Sequence, residues 1–271
     1  MPEVFVLGAF DNLRSRALRF LQEAGRLGNV TVLLWSDESF RTLAGRLPVF
    51  PQAERLYMLE SLRYVDRVIL ADGLVEPDKL PLQNGLRPDL WVVTAAEDTP
   101  AKRRFCASAG FGFRVLPDSQ LDGFPLDADP PSAPGRKKVI VTGCYDWLHS
   151  GHIRFFEQAA AYGDLYVSLG SDSTLRQLKG PGHPMQSQQE RLYMVQAIRP
   201  VFQAFIASGS GYLDVEPEID RIRPDIYLVN ADGDRPEKVE FCRKHGLQYV
   251  VLQRLPKDGL PARQSTLLRG F

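Results

Sequence analysis

The stretch VFVLGAFDNLRSRALRFLQEA, from Val4 to Ala24, returns as VIVTGCYDWLHSGHIRFFEQA, from Val139 to Ala159, displaced by 135 residues. No other feature constrains the fold as strongly, because the likeness continues in order and in nearly constant register. LGNVTVLLWSD, ending at Asp37, is matched by YGDLYVSLGSD, ending at Asp172, and ERLYMLESLRYV from Glu54 by ERLYMVQAIRPV from Glu190. RPDLWVV from Arg87 returns as RPDIYLV from Arg223, and Phe105-Cys106 as Phe241-Cys242. A period this long exceeds any solenoid unit, so the sequence reads as a duplicated domain. Within each copy, short apolar runs such as FVLG, VTVLLW, VIVTG and IYLVN alternate with stretches of helical period such as ALRFLQEAGRL and EKVEFCRKHGL. That alternation predicts an α/β fold of βαβ units, with a doubly wound parallel sheet in each copy. Between the copies, LPDSQLDGFPLDADPPSAPGRKK is rich in Pro, Gly, Asp and Ser and has no apolar period. The expected division is a first domain over residues 1–120, a linker over 121–137 and a second domain over 138–271.

Composition excludes several classes of function. Lys and Arg number 33 against 33 Asp and Glu, so bulk charge does not make this a nucleic-acid or anionic-membrane binder, and any phosphate recognition must be local. No apolar run approaches a membrane span, and the start MPEVFVLGAFDNLRSR lacks the basic segment of a secretory signal; a cytoplasmic protein is expected. Cys106, Cys144 and Cys242 are too few and too scattered for a disulfide framework or a zinc site.

Ligands of parallel α/β sheets bind at the carboxyl ends of the strands, near a reversal of strand order. In the second copy the first strand runs into Gly143-Cys144-Tyr145-Asp146-Trp147-Leu148-His149-Ser150-Gly151-His152 and then a helix. A helix start gathers free backbone N–H groups and positive dipole, a seat for phosphate. His149 and His152, three residues apart, add imidazole donors for the negative charge that builds on a phosphoryl oxygen during attack. Gly151 lets a ligand approach the backbone. The competing account is two helix-capping histidines on a solvated turn. Lys179 alone would be an ordinary loop lysine, but Gly180-Pro181-Gly182 after it favours a phosphate-facing loop.

The pattern G-x-[FY]-D-x-[LV]-H-x-G-H after the first strand resembles the signature of the HxGH nucleotidyltransferase superfamily, in its cytidylyltransferase-like branch. SDSTLRQLKGPGHPMQSQQERLYMVQAI resembles that family's S-D-x-x-x-x-x-K-G stretch and E-R-x-x-M helix, and is especially close to the phosphoethanolamine and phosphocholine cytidylyltransferases. The resemblance implies two tandem Rossmann-like nucleotidyltransferase domains, with the second transferring CMP from CTP to a small phosphorylated alcohol or sugar phosphate, aided by Mg²⁺. It implies His149, His152 and Lys179 as catalytic residues. It places nucleotide contacts at Gly143, Cys144, Tyr145, Gly151, Arg191, Asn230, Asp232, Ser265 and Thr266, and substrate contacts at Asp146 and Asp172, with no metal ligand from the chain. Plain structural roles compete at several of these: helix capping at Ser265 and Asp172, a surface arginine at Arg191, a turn at Asn230 to Asp234. The closing element PARQSTLLRGF departs from the family's R-T-x-G-I-S-T-[ST], since Arg263 stands two residues before Ser265 and the glycine is absent.

In the first copy the HSGH register holds Arg14-Ser15-Arg16-Ala17, and RTLAGRLPVFPQ replaces the Lys-Gly stretch. Residues 1–120 are therefore expected to be degenerate, making the chain an internal pseudo-dimer by resemblance to the two-copy ethanolamine-phosphate cytidylyltransferases; whether it pairs again into a homo-oligomer stays open. Arg14 and Arg16 keep an anion-binding regulatory role for that half in view. The main rival is an adenylyltransferase of the ADP-heptose-synthesis type, using ATP and a sugar 1-phosphate, whose V-x-x-x-G-D-x-x-P-E run LVNADGDRPE resembles. A non-catalytic nucleotide sensor or scaffold is a rival of another class, and a thiol enzyme built on Cys144 a fourth.

Overall fold

The computed structural model describes every residue except 72, 74, 75, 83, 84, 132 and 269–271, and at 266 and 267 it describes the backbone alone. The chain forms two compact units, Met1–Phe124 and Pro125–Phe271.

The first unit runs β1 (Glu3–Gly8), α1 (Ser15–Gly25), β2 (Asn29–Trp35), α2 (Asp37–Ala44), α3 (Gln52–Glu60), β3 (Arg67–Ala71), β4 (Leu90–Thr94), α4 (Pro100–Ala109) and β5 (Gly112–Leu116). The second runs β6 (Lys138–Gly143), α5 (Ser150–Ala160), β7 (Asp164–Leu169), α6 (Asp172–Lys179), α7 (Gln188–Gln196), β8 (Val201–Ile206), α8 (Glu216–Ile222), β9 (Ile226–Asn230), α9 (Pro236–His245) and β10 (Gln248–Leu252). Both sheets are parallel and five-stranded, in the orders β3-β2-β1-β4-β5 and β8-β7-β6-β9-β10, so counted within each unit the order is the same. Parallel neighbours require crossover connections, which the helices supply.

The strands are continuous apolar runs because both faces of the sheet are covered; β7 is buried along its whole length. In the first unit Phe5, Leu33, Trp91 and Val93 pack with Cys106, and Phe105 and Phe113 meet the Trp91 ring edge-on. In the second, Ile140, Tyr166, Tyr227 and Val229 pack with Phe241 and Cys242. The Cys106 and Cys242 thiols are core atoms, pushed up to about 11 by burial. On α5, Ile153, Phe156 and Ala159 recur at helical spacing and are fully buried. Burying Ile153 and Phe156 contributes about 2 kcal/mol each, which holds the start of α5 against the end of β6.

In the second unit the order reverses at β6, which pairs with β7 on one side and β9 on the other. The loops leaving β6 and β9 diverge there and leave a crevice at the carboxyl ends of those strands.

Candidate active site

That crevice is a cavity of about 360 Å³, walled by Gly143 to Asp146 after β6, by Gly151, His152 and Phe155 of α5, and by Lys179 at the end of α6. Its other side is Asn230, Asp232 and Gly233 after β9, Lys238 of α9, Arg254 after β10, and Gln264 and Ser265. A smaller hollow of about 170 Å³ adjoins it, between Phe155 and Gln158 of α5 and the segment Arg254 to Gln264.

The histidines are set by local chemistry. His149 is the N-cap of α5, with extended backbone, and its Nδ1 accepts the Gly151 N–H at 3.1 Å. Nδ1 being the acceptor, the ring proton of the neutral form lies on Nε2. Nε2 of His149 and Nδ1 of His152 are both buried without a partner among the described residues. The two rings stack, centroids 3.9 Å apart and 20° between planes, and Tyr145 stands edge-on to His152 at 5.2 Å. Burial, then the charges of Arg254 and Arg263, holds His149 down at about 3; burial, then His149, Arg254 and Lys179, holds His152 well below its usual value. The site is thus a pair of neutral imidazoles ringed by cations, which suits a phosphoryl group of several negative charges.

The glycines fit tightly. A Cβ on Gly143 would lie 2.6 Å from Cζ of Tyr145, and one on Gly151 would lie 3.0 Å from Cε1 of His149. Tyr145, at φ +49°, folds its ring back beneath Gly143 and leaves its hydroxyl buried and unpaired among the described residues. Burial pushes that phenol far above its ordinary range, so it is neutral. The Cys144 thiol lines the cavity, and the Cys144 carbonyl accepts from Arg191.

Arg191 is a correction to the sequence reading. Its guanidinium is fully buried and donates to the carbonyls of Gln186 (3.2 Å), Cys144 (2.7 Å) and Gly170 (2.9 Å) and to Asp172 (2.9 Å). It does not line the cavity but ties together the loops that frame it. Asp172, expected at the substrate, is its partner, and neither lines the cavity. Asp146 does line it, but its carboxylate accepts the N–H groups of Met185 and Gln186, so it anchors the segment after Lys179. The first unit repeats this clamp without the histidines. Arg55 donates to Phe50 and Ala9 carbonyls and to Asp37, and Asp11 accepts from Val49 and Phe50. A device kept where HSGH is missing belongs to the fold.

Lys179, Asn230, Asp232 and Ser265 line the cavity as expected from the sequence. Asn230 ends β9 with its Oδ1 buried and unpaired among the described residues. Asp232 is ion-paired with Arg254. Ser265 opens a 3-10 turn, Ser265–Leu268, and its hydroxyl donates to the Trp147 carbonyl at 3.4 Å. The Thr266 side chain lies outside the described residues. Among the lining residues that escaped the sequence reading are the cations Lys238 and Arg254, the latter of which also donates to the Arg263 carbonyl at 3.0 Å. The signal for Arg254 is its place directly after the last strand, where a basic side chain overhangs the carboxyl edge of the sheet. In the first unit that place holds Asp118, paired at 2.5 Å with Arg16, which stands where the second unit has Gly151.

Among the described residues no group of three His, Cys, Asp or Glu gathers to hold a metal, and no helix is long and apolar enough to cross a membrane.

Comparison with known proteins gives the family. The family model described as cytidylyltransferase-like matches residues 140–255, a segment that includes every lining residue of the cavity except Gln264 and Ser265. A FAD synthase of Aciduliprofundum boonei is 35% identical over 125 residues, covering 45% of this chain and 80% of that protein. The bifunctional protein HldE of Campylobacter curvus is 37% identical over 248 residues, 84% of this chain and 49% of that protein, and HldE of Syntrophotalea carbinolica is 38% identical over 106 residues. The chain spans 21% to 49% of the length of these two HldE proteins. A solved lipopolysaccharide core biosynthesis protein of Thermoplasma volcanium is 24% identical, with 46% of this chain and all of that chain covered at a TM-score of 0.39. With HSGH at the start of α5, Lys179 at the end of α6 and a relative matched over most of its length, the chain belongs to the cytidylyltransferase-like family of the HxGH nucleotidyltransferases.

Proposed function

We propose that the second unit transfers a nucleotidyl group from a nucleoside triphosphate to a small phosphorylated acceptor. The observation that carries this reading is the stacked, neutral pair His149 and His152 at the start of α5, with buried unpaired ring nitrogens and the charges of Lys179, Arg254 and Arg263 around them. An acceptor phosphate oxygen attacks the α-phosphorus, a new P–O bond forms, and the bond to the β-phosphate oxygen breaks to release pyrophosphate. The chain needs no nucleophile of its own, so its contribution is positioning and charge stabilisation. Nε2–H of His149 donates to a phosphoryl oxygen, and the N–H groups at the start of α5 receive the phosphates. Lys179 and Arg254 offset the charge of the triphosphate. With Asp146 and Asp232 already engaged, the acids of this cavity suit Mg²⁺ carried in by the triphosphate rather than caged by the chain, and the ion would neutralise the leaving pyrophosphate.

Adenylyl transfer from ATP is favoured by the FAD synthase relative, whose named product contains an adenylyl half, and by the similarity to HldE proteins. Cytidylyl transfer from CTP is the second reading, supported by the family description and by the likeness of the SDSTLRQLKGPG stretch. The first unit, with Arg16 and Asp118 paired across the equivalent helix start, is inactive in this reading.

The test is pyrophosphate release with Mg²⁺, ATP or CTP, and a panel of sugar 1-phosphates, glycerol 3-phosphate, phosphoethanolamine, phosphocholine and FMN. Turnover with one nucleotide, abolished in His152→Ala, is the expected result. Absence of both turnover and nucleotide binding by calorimetry would sink the reading.

A further inference from the structure

Lys238 takes no part in the mechanism above, yet it lines the cavity on the β9–α9 wall, apart from the α5 wall that holds His152. Its ammonium lies 5.9 Å from the Tyr227 ring centre and donates to the Gly233 carbonyl at 3.1 Å. That is the one hydrogen-bond partner it has among the described residues, and no carboxylate there comes within 4 Å of it. Asp214, Asp232 and Asp234 act on it only from farther away, and burial disfavours its charge. An ammonium has three N–H donors, so two point elsewhere.

The first unit shows what this position can hold. Lys102, at the same place in α4, lies 5.8 Å from the Trp91 ring centre and donates to the Glu97 carbonyl at 2.7 Å, the same two contacts. It has a third partner, the carboxylate of Asp78 at 3.8 Å, which is itself held by the Thr99 hydroxyl at 2.7 Å. Asp78 follows Glu76-Pro77, and the matching run in the second unit is Glu216-Pro217-Glu218. There the carboxylate has turned away: Glu218 Oε1 accepts the Ser208 N–H at 3.0 Å, and Oε2 is buried without a partner among the described residues. Where Thr99 would steady an anion, the second unit has Arg235. One unit therefore places an anion of its own chain against the lysine, whereas the other presents the same lysine to the ligand cavity.

We propose that Lys238 is an acceptor-binding residue, its ammonium taking the anionic phosphate of a phosphomonoester acceptor on the β9–α9 wall while the triphosphate lies on the α5 wall. The proposal rests on the nucleotidyltransferase reading and adds which residue receives the second substrate. A phosphate seated between Lys238 and the histidines has its attacking oxygen held on the side of the α-phosphorus away from the leaving pyrophosphate, as in-line displacement requires.

The test uses the whole chain saturated with pyrophosphate and titrated with inorganic phosphate, followed by calorimetry, for wild type, Lys238→Met, Lys238→Arg and Lys102→Met. Met keeps the apolar stem over Tyr227 and removes the charge. The expected result is phosphate binding at least tenfold weaker in Lys238→Met, restored to within about threefold in Lys238→Arg, with pyrophosphate affinity unchanged in both. Lys102→Met loses the same carbonyl bond and should leave phosphate binding unmoved, which separates a structural effect from a ligand contact. Equal phosphate affinity in wild type and Lys238→Met overturns the proposal, as does no phosphate binding by the pyrophosphate complex or a parallel fall in pyrophosphate affinity. Failure of wild type to bind pyrophosphate overturns the nucleotidyltransferase reading itself. Should Lys238→Met not fold, reductive methylation of wild type read by peptide mass gives the answer: added phosphate should protect Lys238 and not Lys244, and equal labelling with and without phosphate refutes the assignment.

Discussion

The buried histidines make acid stability a direct probe of the site. His149 titrates near 3 in the folded chain against an ordinary value of 6.5, because burial and then the charges of Arg254 and Arg263 disfavour the imidazolium. Between those values the unfolded chain binds a proton that the folded chain refuses, so folding stability is full above pH 6.5 and falls as pH drops. At pH 5 the difference amounts to about 2 kcal/mol for His149, from roughly 1.4 kcal/mol per pH unit. His152 shifts in the same direction for the same reason, with His149 itself among the causes, and adds to the loss. Asp214 works against this: burial and Glu218 raise it to about 6, so the folded chain binds its proton first and gains stability as pH falls through that value. Comparing wild type with a His149→Asn/His152→Asn variant cancels that contribution, because Asp214 is common to both. The measurement is urea unfolding at pH 7.5 and pH 5, with hydrogen exchange of the β6 and β7 amides isolating the second unit. Wild type should lose at least about 2 kcal/mol more than the variant over that drop. Parallel losses would mean that the imidazoles are not held neutral by burial, and the description of the site as neutral donors among cations would fall with them.

Other perturbations separate the fold from the site. Arg191→Met removes a buried guanidinium bound to four acceptors, and should lower stability by about 3 kcal/mol or more in urea unfolding; Arg55→Met should do the same in the first unit. Gly151→Ala forces a methyl to within 3.0 Å of His149 Cε1, so pyrophosphate release should fall at least a hundredfold while the urea midpoint moves by about 1 kcal/mol or less. Arg254→Lys keeps the charge but cannot reach both Asp232 and the Arg263 carbonyl with one fork; the KM for nucleotide should rise about tenfold, and wild-type kinetics in this variant would count against a clamp.

The fold was legible because the sequence states it twice. The runs that became β1 and β6 are apolar on both faces, and only a parallel sheet covered by crossover helices makes that pattern economical, so the order of elements follows from alternation alone. The histidines were legible because a polar pair at a strand-to-helix turn has few other uses. What escaped were residues brought in from distant parts of the chain. Lys238 sits in a helix whose sequence reads as an ordinary amphipathic surface, and only the packing of α9 against β9 turns its ammonium toward the crevice. Arg191 misled in the opposite sense. Its neighbourhood resembles a ligand-binding segment, but a guanidinium can equally satisfy carbonyls at the ends of three loops, and nothing local distinguishes carbonyl oxygens of the chain from oxygens of a phosphate.

The duplication resolves that ambiguity from within the molecule. A residue needed to frame the crevice must persist in both units, since both keep the same strand order, and Arg55 with Asp37 and Asp11 persists opposite Arg191 with Asp172 and Asp146. A residue needed for a ligand is released from that constraint in a unit that no longer binds it, as proposed for the first unit, and there the charges around it can differ. Gly151 has become Arg16, Arg254 has become Asp118, and the two new side chains pair with each other. Lys102 shows a third course: the lysine stays, because its carbonyl bond serves the turn after β4, but a carboxylate has moved in beside it. Asp118 in place of Arg254, and Asp78 beside Lys102, each bring a carboxylate of the chain to a position where the second unit presents a cation. On the proposed reading, those two carboxylates mark where negative charge is expected from outside in the second unit: after β10 and at Lys238.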